Sequence, residues 1–106
     1  MIIFEIFSKL NKLIRLTETI FNEIKFKHPE IVGQEEKMKE TLINPNEIRK
    51  SQYAEYIWLF YKLFETTPVT KKYLMVGVKV LNEEGFVVTA YFTYRIKLGE
   101  EIWKGK

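Results

Sequence analysis

The sequence predicts an α+β domain in which two N-terminal helices pack on one face of a four- to five-stranded antiparallel sheet. Three observations carry this expectation. Apolar residues recur at three- and four-residue steps between Leu16 and Leu42, with one interruption at His28-Pro29. The segments from Tyr73 to Leu81 and from Phe86 to Ile96 alternate apolar and polar side chains, as strands with one buried face do. The 106 residues, 46% of them hydrophobic, suffice for one core and not for two, so residues 1–106 read as a single domain.

Met1 to Phe7 and Lys12 to Leu16 are short β-branched runs on either side of Ser8-Lys9-Leu10-Asn11, which predicts a hairpin or two edge strands. Thr17 then stands where an N-cap is needed. Leu16, Ile20, Phe21, Ile24 and His28 fall on one stripe of the helix that follows, so His28 sits at or beside its buried edge. Pro29 disfavours helical geometry at His28 and suits the first turn of a second helix, where Glu30 would gain about 0.3–1 kcal/mol from the helix dipole. Ile31, Gln34, Met38 and Leu42 form the inward stripe of that helix, and Asn44-Pro45-Asn46 stops it. Glu47 to Ser51 reads as a short strand and Tyr56 to Phe64 as a strongly aromatic one.

The last hairpin has a register that burial can decide. A three-residue loop of Glu83-Glu84-Gly85, with Gly85 as the left-handed residue of a bulge, pairs Asn82 with Phe86. Val80, Val78, Val76 and Leu74 then lie beside Val88, Ala90, Phe92 and Tyr94 on the core face. The opposite face sets Lys79 across from Thr89, Gly77 from Tyr91, Met75 from Thr93 and Tyr73 from Arg95. The expectation is a sheet with one apolar side and one open, polar, partly basic side.

Composition excludes several chemistries. With no cysteine there is no disulfide, no thiol nucleophile and no thiolate metal site, and the single histidine, His28, rules out a histidine-rich metal centre. Seventeen Lys and Arg against fourteen Asp and Glu give a net charge of +3, a weak bias toward polyanions. The apolar opening is interrupted by Glu5, lacks a basic leader and a cleavage site, and is too short to span a bilayer, so the expected location is cytoplasmic with no membrane partner.

The runs His28-Pro29-Glu30, Thr41-Leu42-Ile43-Asn44-Pro45, Phe60-Tyr61-Lys62, Val76-Gly77-Val78-Lys79 and Val88-Thr89-Ala90-Tyr91 resemble, in that order, the phage and bacterial barnase, EndoU, colicin and RelE-like (BECR-fold) nuclease superfamily. The resemblance spans Leu16 to Trp103. It implies metal-independent RNA cleavage at the open sheet face without a cofactor, with RNA as substrate and an antitoxin or immunity protein as partner. Its motifs carry over to His28, Glu30, Arg49, Tyr61, Lys62, Lys79, Thr89 and Tyr91. Asn22-Glu23 stands where such nucleases often carry a second histidine.

The chemistry can be stated from first principles. Cleavage by the 2′-hydroxyl needs a base, a cation for the phosphorane and an acid for the leaving 5′-oxygen. His28, of a residue type that titrates near ~6.5, is the ordinary candidate for a proton role. Arg49, Lys62, Lys79 and Arg95 are candidate phosphate ligands, and Tyr61 or Tyr91 would stack on a base or donate a proton. The expected catalytic set is His28, Arg49, Lys79, Thr89 and Tyr91, with Glu30, Tyr61, Lys62 and Arg95 binding substrate. Each has a plainer alternative: His28 as a helix-junction imidazole, Glu30 as a helix-start charge, Thr89 and Tyr91 as β-formers, and the cations as edge protection. A non-catalytic RNA- or protein-binding module on the same scaffold is the competing reading.

Overall fold

Thr17 does what its context predicts: its hydroxyl accepts the Ile20 N–H at 3.3 Å and caps helix α1 (Glu18–Lys27). In the computed structural model, which describes residues 1–105, the chain leaves α1 at His28 and makes a single 3₁₀ turn (Pro29–Ile31). It restarts as helix α2 (Glu35–Ile43). The second helix therefore begins six residues later than Pro29 suggests. Gly33, at φ +80, breaks the chain between the two, and the acidic first turn of α2 is Glu35-Glu36 rather than Glu30. Ile31, Met38 and Leu42 are fully buried, as their spacing predicts.

The strands are β1 (Ile2–Phe7), β2 (Leu13–Thr17), β3 (Glu47–Lys50), β4 (Ile57–Leu63), β5 (Tyr73–Leu81), β6 (Glu84–Thr93) and β7 (Glu101–Lys104). They form one seven-stranded mixed sheet in the order β1-β2-β6-β5-β4-β3-β7. This overturns the expectation of four to five antiparallel strands. β2 runs parallel to β6, through Leu13 to Arg15 against Glu84 to Phe86, and brings the β1–β2 hairpin into the main sheet. At the far edge β7 pairs antiparallel with β3. Ile14 and Leu16 of β2 are fully buried, so the parallel junction is sealed by core packing as well as by backbone bonds.

The β5–β6 register also differs from the expected one. Asn82, at φ 41, closes a two-residue turn in which Leu81 faces Glu84. Gly85 is not left-handed. It lies within β6, where an added Cβ would come 2.6 Å from the Lys79 carbonyl oxygen. The pairing slips between Gly77 and Val78, leaving Val88 as an extra residue in β6. Beyond the slip Thr89 faces Gly77, Tyr91 faces Met75 and Thr93 faces Tyr73, two residues from the expected register. A shift of two keeps each side chain on its face, so Leu74, Val76, Ala90 and Phe92 are buried as expected. Val87 takes the core place expected of Val88, which is exposed, and Tyr94 lies outside the core.

Both helices pack on one face of the sheet, where Phe21, Ile24, Ile31, Met38 and Leu42 meet Ile14, Leu16, Phe60, Leu74, Val76, Val78, Ala90 and Phe92. Each buried Val, Leu, Ile, Phe or Met among them contributes about 1.5–3 kcal/mol. The α2 C-terminus is tied to the β1–β2 turn by the Lys9 N–H, which donates to the Leu42 carbonyl at 2.8 Å. No helix among the described residues is long and apolar enough to cross a membrane.

Candidate functional site

The face away from the helices is not left bare. Strand alternation places Tyr61, Met75, Thr89 and Tyr91 on it, yet Tyr61 and Met75 are almost wholly inaccessible to solvent. Two loops roof this face: residues 51–56 after β3, and residues 94–100 between β6 and β7. Between them lies a cleft of ≈ 790 Å³, with Leu59 and Met75 on its floor and Tyr53, Thr89, Tyr91, Arg95 and Lys97 around it. The volume suits a small organic group or one to two nucleotide units. A depression of similar size, ≈ 770 Å³, at the β5–β6 turn is less suited to an anion, because Glu83 and Glu84 line it and its Lys12 ammonium is bonded to the Asn82 carbonyl.

Tyr61 and Arg49 hold the second loop in place. The Tyr61 hydroxyl accepts the Lys97 N–H at 3.2 Å, and burial raises its pKa above the ordinary tyrosine value. It thus stays neutral, beneath the loop, rather than presenting a ring to substrate. The Arg49 guanidinium is bonded to the Glu47 carboxylate, donates to the Gly99 carbonyl at 2.8 Å and lies 3.9 Å from Glu101. Glu47 is buried, so Arg49 is the counterion of a carboxylate that has little water. Both residues serve as anchors for the loop that carries Lys97.

His28 reaches this side of the molecule. Its backbone N–H donates to Ile24 at 2.7 Å and ends α1, and its carbonyl accepts from Ile31 at 3.0 Å, so the junction is fixed on both sides. β2 stays beside β6 only as far as Phe86, and both α1 and the 3₁₀ turn pack against β6. The half-buried imidazole packs on the Tyr91 ring with centroids 5.1 Å apart and planes tilted by 40°. Pro29 thus ends the helix at the residue whose side chain meets the β6 surface.

The other residues singled out from sequence divide between the two faces. Thr89, Tyr91 and Arg95 line the cleft, whereas His28 does not line it and meets it through the Tyr91 ring. Lys79 is exposed between Ile57 and Phe86 and is not part of the cleft wall. Lys62 lies on the helix side, where its ammonium donates to the Asn44 carbonyl at 3.1 Å and pairs with Glu40 at 3.6 Å. Glu30 sits half-buried in the 3₁₀ turn and forms no ion pair among the described residues.

Sequence reasoning did not single out Lys97 or Tyr53. The Lys97 ammonium lies 5.0 Å from the Tyr91 ring centre, and contact with the Tyr91 hydroxyl holds its pKa above the ordinary lysine value. Extending the last strand to Ile96 hid this loop, because β6 ends at Thr93. Comparison with protein-family models, curated proteins and solved structures found no match to this chain.

Proposed function

We propose that the protein is a metal-independent endoribonuclease of the toxin or phage-associated kind, acting in the cytoplasm and cleaving RNA by attack of the 2′-hydroxyl. The observation that supports this most is the contact of His28 with Tyr91, a ring that itself lines the roofed cleft. It brings the chain's single imidazole beside an aromatic and basic surface, although residues 28 and 91 are far apart in sequence.

In this reading His28 takes the 2′-hydroxyl proton or returns one to the leaving 5′-oxygen. Tyr91 carries the imidazole on its ring and meets a base or sugar with its cleft side. Thr89 and Arg95 position the chain of phosphates, and Arg95 supplies charge that Arg49, bound to Glu47, does not. The ordered motif resemblance favours the same chemistry. An antitoxin or immunity protein is the expected partner, and toxicity on expression relieved by a neighbouring small protein would identify it.

The test is incubation of single-stranded RNA with the protein in excess chelator. Cleavage to 2′,3′-cyclic phosphate ends, lost by at least ~100-fold in His28→Ala, is the expected result. Intact RNA with the wild-type protein, or equal cleavage by His28→Ala, refutes the assignment.

The engagement of Arg49 by Glu47 and the exposed position of Lys79 favour a second reading, a binding module on the same surface that does not cut. It predicts salt-dependent RNA binding, with a slope of about 0.7 per neutralised phosphate, and no scission.

A further inference from the structure

We propose that Lys97 is a phosphate-contacting cation of the cleft, alongside Arg95. The inference rests on the RNA reading above and adds to it a residue that the motif resemblance does not supply. Three features carry it. First, the Lys97 backbone is pinned by the Tyr61 hydroxyl at 3.2 Å, so the ammonium is delivered from a fixed point rather than from a loose loop. Second, the ammonium stands 5.0 Å from the centre of Tyr91, the same ring that packs against His28, so cation and imidazole share one support. Third, the other basic residues singled out from sequence are engaged or displaced, apart from Arg95. Arg49 is bonded to Glu47, Lys62 is on the opposite face with Glu40, and Lys79 is off the cleft wall.

The contact with Tyr91 leaves the Lys97 charge uncompensated, because a hydroxyl and a ring orient an ammonium without neutralising it. Lys97 makes no ion pair with a carboxylate among the described residues. A phosphate at this point would meet a positioned cation. A base stacked on the cleft side of Tyr91 or on the exposed Tyr53 would hold the phosphodiester beside it.

The probe is a single-stranded octauridylate carrying 2′-O-methyl groups, which has no 2′-hydroxyl to attack, so binding is read without cleavage. Its affinity is measured by fluorescence anisotropy across a salt series for the wild type, Lys97→Met, Lys97→Arg and Lys39→Met, Lys39 lying on α2 in a pair with Glu36. Lys97→Met is expected to weaken binding on the order of ten-fold at low salt and to lower the salt slope by about 0.7, the loss of one phosphate contact. Lys97→Arg keeps the slope, and Lys39→Met leaves both quantities unchanged.

A wild-type slope retained in Lys97→Met, or an equal loss in Lys39→Met, overturns the assignment of Lys97 while leaving the RNA reading standing. A wild-type protein that binds neither this oligonucleotide nor cleavable RNA overturns both. Thermal unfolding of Lys97→Met at the wild-type midpoint assigns any loss of binding to charge. A lowered midpoint together with no rescue by Arg counts against a phosphate contact.

Discussion

Replacing Arg49 by Gln separates two roles for this side chain, because a phosphate ligand is dispensable for folding and a buried counterion is not. The Glu47 side chain is 7% exposed and that of Arg49 is 24% exposed. Removing one partner of a fully buried pair costs about 3–5 kcal/mol, since the remaining charge has neither partner nor water. Here water reaches the guanidinium side, which places the cost nearer about 2–3 kcal/mol. Loss of the bond to the Gly99 carbonyl falls within that figure.

With a urea m-value of about 1–3 kcal/mol/M for a small domain, the unfolding midpoint of Arg49→Gln should fall on the order of 1–2 M. Glu47→Gln combined with Arg49→Gln should recover a good part of the loss, because the double variant leaves no isolated carboxylate. A double-mutant cycle by urea denaturation gives the coupling directly, with at least about 1.5 kcal/mol expected. A single-variant cost below about 0.5 kcal/mol, or a coupling near zero, would refute the reasoning and return Arg49 to the list of free cations.

Two further perturbations test the roof and the sheet. Because the Tyr61 pKa is raised by burial, the unfolded chain releases a proton near pH ~10 that the folded chain retains, so stability falls as pH rises above that value. The slope contributed by this one proton approaches at most about 1.4 kcal/mol per pH unit, and urea midpoints of Tyr61→Phe should lack it. Identical alkaline slopes in the two proteins would show that the hydroxyl is not held neutral by the fold. Gly85→Ala places a methyl group 2.6 Å from the Lys79 carbonyl oxygen and 3.1 Å from Ile14, and the strands must part. Overpacking of this kind costs about 1–3 kcal/mol, read as a lowered thermal midpoint, and an unchanged midpoint would mean that the β2–β6–β5 junction is looser than described.

The helices and the buried side of the central strands were legible because they depend on periodicity and caps. Thr17, Phe21, Ile24, Met38 and Leu42 stand where local pattern puts them. The number of strands was not legible, since pairing of β2 with β6 joins residues about seventy positions apart and no local signal encodes that partner. β7 has four residues between Glu100 and Gly105, too few for a period to show. The register failed for a different reason. Asn82 in the left-handed region selected a shorter turn, which shifts the pairing beside it by three residues and turns Phe86 and Val87 over. The extra residue Val88 then leaves a shift of two from Thr89 onward, and burial, which fixes only parity, does not distinguish that shift from the expected register. Gly33, which delays α2, was visible in the sequence as a helix breaker.

At the site, the alternation of Thr89 and Tyr91 put them on the correct face, and Pro29 marked His28 as a helix end. Their meeting was not readable, because it depends on how α1 and the 3₁₀ turn pack against β6, a contact between segments far apart in the chain. The engagement of Arg49 by Glu47 is visible only as an i, i+2 pair on a strand, which many exposed strands also carry. Lys97 gave no signal at all, since its place comes from Tyr61 and from the loop over the sheet.

The central claim is that RNA meets the protein at the cleft lined by Tyr91 and Lys97, with His28 packed on the same Tyr91 ring. It is tested most directly by nuclear magnetic resonance during titration with the 2′-O-methyl oligonucleotide. The account predicts that the side-chain resonances of His28 and Tyr91 and the amides of Thr89 and Lys97 shift together, while the outer face of α2 stays unchanged. Shifts concentrated on α2 and Trp103, with His28 and Tyr91 unmoved, would contradict it.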